Sequence, residues 1–131
     1  MTEQPVIIAQ VRRYFELLTA GDTAKIIELF AAGGTVQSPF LGTMDAAAFF
    51  EKLSSASAAS KLTVKDVLIG ESGQSAAARF HYNWTLATGE VVEFEGVDHF
   101  TLAADGRFQS MSIFYDTHPL RQDVGDKYAN A

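Results

Sequence analysis

The chain has 131 residues, 47% hydrophobic and 20% charged, a globular composition with enough apolar content for one real core. Its net charge of −6, with no basic cluster, makes it a poor partner for phosphate backbones or anionic lipid, which argues against nucleic acid and membrane surfaces. It contains no cysteine, which removes disulfides, thiolate nucleophiles and zinc–thiolate sites together.

The opening stretch MTEQPVIIAQVRRYF lacks a basic leader region and has only a short apolar run before two arginines. Neither a signal peptide nor a membrane span is expected there, and the cytoplasm is the expected compartment. Apolar residues at Ile7, Val11, Tyr14 and Leu18, widened by Ile8 and Phe15, follow helical spacing. Gly21-Asp22 breaks that helix, and Asp22 is placed to cap a second one from Thr23 to about Ala32, stopped by Gly33-Gly34. TVQSPFLG at 35–42 reads as a short strand ending on a turn. A third helix follows over about Met44–Ser54, with Phe49, Phe50 and Leu53 on its buried side.

Residues 54–60, SSASAAS, read as a loop or frayed helix end. From Lys61 the apolar period changes to two. LTVKDVLIG, AAARFHYNWTLA, EVVEFEGVDHFTLA and RFQSMSIFYD are expected strands, with turns at Thr88-Gly89 and Ala104-Asp105-Gly106. Three helices, an intervening short strand and an antiparallel meander predict one α+β domain over 1–131, with a polar tail from about 117. Strands curled around the helices would leave a cone with a cavity.

RRYFELLTAGDTAKIIELFAAGGTVQSPF and GVDHFTLAADGRFQSMSIFYD resemble the NTF2-like superfamily, in its SnoaL-like and ketosteroid-isomerase-like branch. The resemblance reaches residue 116 and implies a cone of three N-terminal helices packed on a curved, mostly antiparallel sheet that encloses a cavity. In the isomerases a helix-1 tyrosine and a protonated aspartic acid, kept neutral by apolar surroundings, donate to the substrate carbonyl. The matching residues here are Tyr14 and Asp98. Their general base is the aspartate of an E-D-P-F motif, which here reads Gln37-Ser38-Pro39-Phe40. Ser38 cannot replace it as a base, because a hydroxyl titrates far above neutral pH.

Strand alternation then assigns faces. With Asp98 inward, Phe94, Gly96 and Phe100 also point inward. Aligned across a Thr88-Gly89 turn, Arg79, His81 and Asn83 join them, as do Met111, Ile113 and Tyr115 on the last strand. The expected catalytic set is Tyr14, Asp98 and His81. Leu18, Ser38, Phe49, Phe50, Arg79, Asn83, Phe100, Met111, Ile113 and Tyr115 are the expected substrate-binding residues. The implied ligand is a small amphipathic organic molecule, held against a polar wall of Arg79, His81 and Asn83.

On the same alignment Phe80, Tyr82, Trp84, Val97 and Phe114 form an outer apolar stripe, which predicts a homodimer through the outer sheet face. Histidines on different faces and without ligand spacing argue against a metal, no cofactor is expected, and His99 and His118 read as structural or exposed. Three functions stand open. One is an isomerase-, dehydratase- or cyclase-type enzyme, with epoxide hydrolysis by Arg79, Asp98 and Asn83 as a variant. The others are a non-catalytic ligand binder and a dimeric interaction module.

Overall fold

The computed structural model describes residues 3–117; the expected polar tail and His118 lie outside them. The elements in order are α1 (Gln4–Ala20), α2 (Thr23–Glu28), β1 (Phe30–Ser38), β2 (Gly42–Asp45), α3 (Ala46–Ala56), β3 (Ser57–Ile69), β4 (Ser75–Leu86), β5 (Val91–Leu102) and β6 (Phe108–Tyr115). The α1 stripe of Ile7, Val11, Tyr14, Phe15 and Leu18 is buried, as its spacing requires. Asp22 caps α2 by accepting a hydrogen bond from the Lys25 backbone N–H at 3.2 Å.

The six strands form one curved, unclosed sheet in the order β2-β1-β6-β5-β4-β3. All pairings are antiparallel except β1 with β6. Helices α1 and α3 cover the concave side and leave a hollow there. This is the expected α+β cone.

Three element boundaries differ from expectation. Gly42–Asp45 pair with β1 as strand β2, so α3 starts at Ala46 and not at Met44. Helix α2 ends at Glu28, and Phe30 begins a strand, paired with Phe108 across a shift where Gly33-Gly34 sit. Packing overrides the helical pattern here, because the Phe30 ring meets Phe50 at 5.5 Å and Phe108 at 5.4 Å. The serine- and alanine-rich stretch is not a loop either. It completes α3 and starts β3. Ser57 Oγ donates to the Leu53 carbonyl at 2.6 Å and accepts from Trp84 Nε1 at 2.8 Å, while Ser60 Oγ and the Tyr82 hydroxyl share a 2.8 Å bond. Small hydroxyl side chains thus tie the edge strand to the aromatics beside it.

The largest correction concerns β4. Its expected face assumed a two-residue turn at Thr88-Gly89. The Leu86 N–H instead donates to the Glu90 carbonyl and the Gly89 N–H to the Leu86 carbonyl, both at 2.8 Å, which closes a three-residue loop of Ala87, Thr88 and Gly89. Gly89 has φ 92°, the left-handed conformation that such loops demand of their last residue. One extra loop residue moves every partner by one and reverses the face of the whole strand. Phe80 therefore pairs with Gly96, Tyr82 with Phe94 and Ala78 with Asp98.

Phe80, Tyr82 and Trp84 accordingly face the hollow, while Arg79, His81 and Asn83 face outward. There Arg79 lies 3.5 Å from Glu95, His81 3.8 Å from Glu93, and Asn83 Nδ2 donates to Glu93 at 3.0 Å. Lys65, at 3.1 Å, and then Arg79 hold the Glu95 carboxyl below its usual range. Of the apolar stripe expected to bury a dimer interface, only Val97 and Phe114 lie outside, 38% and 59% exposed.

Candidate functional site

The hollow is a cavity of about 330 Å³, at the small end for sites that hold organic molecules. Burial defines its two ends. Tyr14 (2% exposed), Asp98 (3%) and Phe80 lie at the floor, whereas Phe40, Leu41 and Lys52 are exposed at the mouth. Tyr82, Trp84, Phe94, Ile113 and Tyr115 make the wall between them.

Each floor residue is fixed by local structure. Tyr14 faces inward because it continues the buried stripe of α1, and its ring is clamped edge-on between Phe50 at 5.8 Å and Phe100 at 5.7 Å. Phe50, Phe100 and Met111, expected to line the site, are packed beneath it and do not reach the cavity surface. Phe100 shares the inward face of β5 with Asp98 and pairs with Met111 on β6, while Phe50 lies on the buried face of α3. Leu18, Ser38, Phe49, Ile113 and Tyr115 do line it. Ser38 Oγ accepts from the Leu41 N–H at 3.3 Å and shapes the turn that carries Phe40 and Leu41 to the mouth.

Asp98 is the sole carboxylic acid among the described lining residues. Its Oδ1 is fully buried and meets no hydrogen-bond partner among the described residues. An ionised carboxylate there would forgo water without gaining a cation, so burial drives its pKa well above the ordinary value of 3.8. Burial thus favours the neutral acid, which is an O–H donor. Burial, then the nearby Asp98, then Tyr82, raise the Tyr14 phenol well above 10.0, so it too keeps its proton. Burial pushes Tyr82 up to about 12 against the opposing effect of its Ser60 bond, and Tyr115 is raised by burial. The cavity thus offers neutral O–H donors on apolar walls.

Three expected site residues are elsewhere. Arg79, His81 and Asn83 stand on the outer sheet face, where His81 cannot exchange a proton with a ligand in the hollow. Sequence reasoning missed Phe80, Tyr82 and Trp84 as lining residues, and also Lys52. Cross-strand charge was the available signal, since Glu93 and Glu95 need Arg79, His81 and Asn83 opposite them on one face. No group of residues able to hold a metal ion occurs among the described residues. No helix among them is long and apolar enough to cross a membrane.

Comparison with known proteins agrees with this fold. The profile of the SnoaL-like domain matches residues 11–111. Among solved structures, the chain is similar to SalBIII, described as an epoxide hydrolase/cyclase-like enzyme in pyran ring formation of the polyether salinomycin. The two share 22% identity and a TM-score of 0.78, over 88% of this chain and 95% of that one. An NTF2-like protein of unknown function from Exiguobacterium sp. 255-15 gives 22% and 0.70, over 82% and 98%. AusH from Aspergillus nidulans gives 13% and 0.75, over 89% and 88%. At these identities the likeness is one of fold. No functionally curated protein matches the chain in sequence. With its cone, its cavity and a profile match across most of its length, the chain belongs to the SnoaL-like domain family of the NTF2-like superfamily.

Proposed function

We propose that the cavity is the active site of a small-molecule enzyme of isomerase or cyclase type. It holds an amphipathic substrate by one oxygen, a carbonyl or the ether oxygen of an epoxide, between the Tyr14 hydroxyl and the neutral carboxyl of Asp98. The observation that carries this reading is the unpartnered Asp98 oxygen, buried at the floor of an otherwise apolar hollow. Such a group is costly to the fold unless something else meets it, and a substrate oxygen is the partner its geometry suits.

The absence of a second carboxyl or a histidine from the described lining narrows the chemistry. The outward position of His81, beside Glu93, argues against a base-assisted shuttle through it. Reactions in which one group both gives and recovers a proton remain. On a hydroxy-epoxide, Asp98 would give its proton to the epoxide oxygen as the C–O bond breaks. The substrate's own hydroxyl oxygen then attacks that carbon and closes a ring, and its proton returns to the Asp98 carboxylate. The cyclase-like description of SalBIII, of the same fold, is consistent with this class. On a carbonyl, both donors would stabilise developing negative charge on oxygen, their strength raised by the dry surroundings.

Trp84 is the chain's single tryptophan and lines the wall, so its fluorescence reports occupancy. Titration with 2-naphthol, whose oxygen accepts from both donors, tests the reading. Tyr14→Phe and Asp98→Ala should each weaken binding about two- to tenfold, the value of one hydrogen bond. Unchanged affinity in both folded variants would refute it.

A further inference from the structure

The cavity has a second polar end. Helix α3 presents Phe49, Lys52, Leu53 and Ala56 to the hollow, at the i, i+3, i+4, i+7 spacing of one helix face. Three of these suit a hydrocarbon wall. Lys52 does not. It is the only cation among the described lining residues, and it makes no ion pair among the described residues. Arg13, Lys25, Lys65, Arg79 and Arg107 have carboxylates within 4.0 Å; Arg12 and Lys61 share the lack of an ion pair among the described residues but do not line the cavity. A chain of net charge −6 that leaves one ammonium unmatched at the rim of its cavity has a cation available for something else.

Asp98 at the floor and Phe94 on the wall both line the hollow and lie four residues apart on β5, about 13 Å at the rise of a strand, so the hollow is long enough for a ligand with two separate ends. Lys52 lies about one helical turn beyond Phe49 and is exposed, and a lysine so placed can lay its methylene stem on apolar wall while its ammonium stays in water. A molecule whose oxygen reaches Asp98 and whose body fills the aromatic wall ends close to that ammonium.

We propose that the natural ligand carries an anionic group, a carboxylate, phosphate or sulfate, at the end opposite its activated oxygen, and that Lys52 selects it. The proposal rests on the reading of Tyr14 and Asp98 as the oxygen-binding pair. It identifies the substrate class as apolar acids that enter oxygen-first and leave the charge at the mouth. The reverse orientation would set an anion beside a buried acid with no cation near it. Lys52 is then a specificity residue at the far end from the chemistry, and it acts on binding.

The test uses 6-hydroxy-2-naphthoate, which has a phenolic oxygen at one end and a carboxylate at the other, and its uncharged primary amide of the same size. The wild-type protein should bind the carboxylate about three- to tenfold more tightly, a range set by an exposed ion pair at one limit and a charge-assisted hydrogen bond at the other. Lys52→Met should bring the two probes to equal affinity, and Lys52→Glu should invert the preference. Added salt should erode the wild-type preference. Equal affinities in the wild type, or a preference that survives Lys52→Met, overturns the assignment of Lys52. Tyr14→Phe separates the two levels: it should weaken both probes in parallel, and if it weakens neither, the oxygen-binding reading has failed as well.

Discussion

Replacing Asp98 by Asn isolates the protonation of the floor carboxyl without changing its shape. Burial raises the folded pKa well above the ordinary 3.8, so between those two values the folded protein holds a proton that the unfolded chain has lost. The sign follows from linkage. Below the unfolded value the neutral acid contributes fully to stability, and that contribution is lost as pH rises toward the folded value. Within the window one proton is worth between about 1 and 2 kcal/mol per pH unit, or about 4 °C of melting temperature in a domain of this size.

The assay is thermal melting of the wild type and Asp98→Asn from pH 4 to 9 at fixed ionic strength. The other carboxylates contribute equally to both proteins, so the difference between the curves is the readout. An amide at position 98 leaves a buried polar group of its own, which adds a constant offset and no slope. The expected result is a difference that grows with pH in favour of the variant and levels off once the wild-type carboxyl ionises. Parallel curves would show that Asp98 titrates as an ordinary surface acid, and the site would lose its proton donor. Binding should follow the same titration, with 2-naphthol affinity falling above the pH at which the difference levels off.

Further outcomes follow from the register and the packing. His81→Ala should leave 2-naphthol affinity unchanged and shift stability by no more than about 0.5 kcal/mol, because the ring lies on the outer face beside Glu93; a tenfold loss of affinity would restore the opposite strand face. Gly96→Ala should destabilise the fold by about 1–3 kcal/mol, measured by urea unfolding, since a Cβ there would stand 2.8 Å from the Phe114 carbonyl oxygen and 2.9 Å from Phe80 Cζ. Ser38→Asp adds a carboxylate to the lining and should confer isomerisation of a β,γ-unsaturated ketone, followed by the absorbance of the conjugated product. No gain in a folded variant would show that position 38 does not reach the substrate's acidic C–H.

The helices and the faces of two strands were legible because each rests on a short, local signal. The α1 stripe needed only its spacing, and Asp98 was placed inward by Phe94 and Phe100 on the same strand, with Ile113 and Tyr115 following by the same alternation. The α2–β1 boundary was not legible, because Ile26, Ile27, Leu29 and Phe30 keep helical spacing while Phe30 is claimed by Phe50 and Phe108, residues distant in sequence. SSASAAS concealed a strand for a related reason. Its structure depends on hydroxyl bonds to Trp84 and Tyr82, which composition does not encode.

The β4 error had the largest consequence, because a strand's face depends on the parity of the loop before its partner. Counting Thr88-Gly89 as a two-residue turn put Arg79, His81 and Asn83 on the wall and made the cavity half polar. Adding Ala87 to the loop exchanges them for Phe80, Tyr82 and Trp84. That exchange removes the expected base, dries the wall, raises the phenol and carboxyl pKa values through burial, and takes most of the apolar surface from the supposed dimer face. It also relocates the ligand's polarity. With Arg79, His81 and Asn83 off the wall, the proposed pose sets a substrate's oxygens at the two ends of the hollow, against Asp98 and Tyr14 at the floor and against Lys52 at the mouth. On an isolated helix that lysine reads as ordinary solvent-facing charge, and only the position of α3 over the cavity gives it another role.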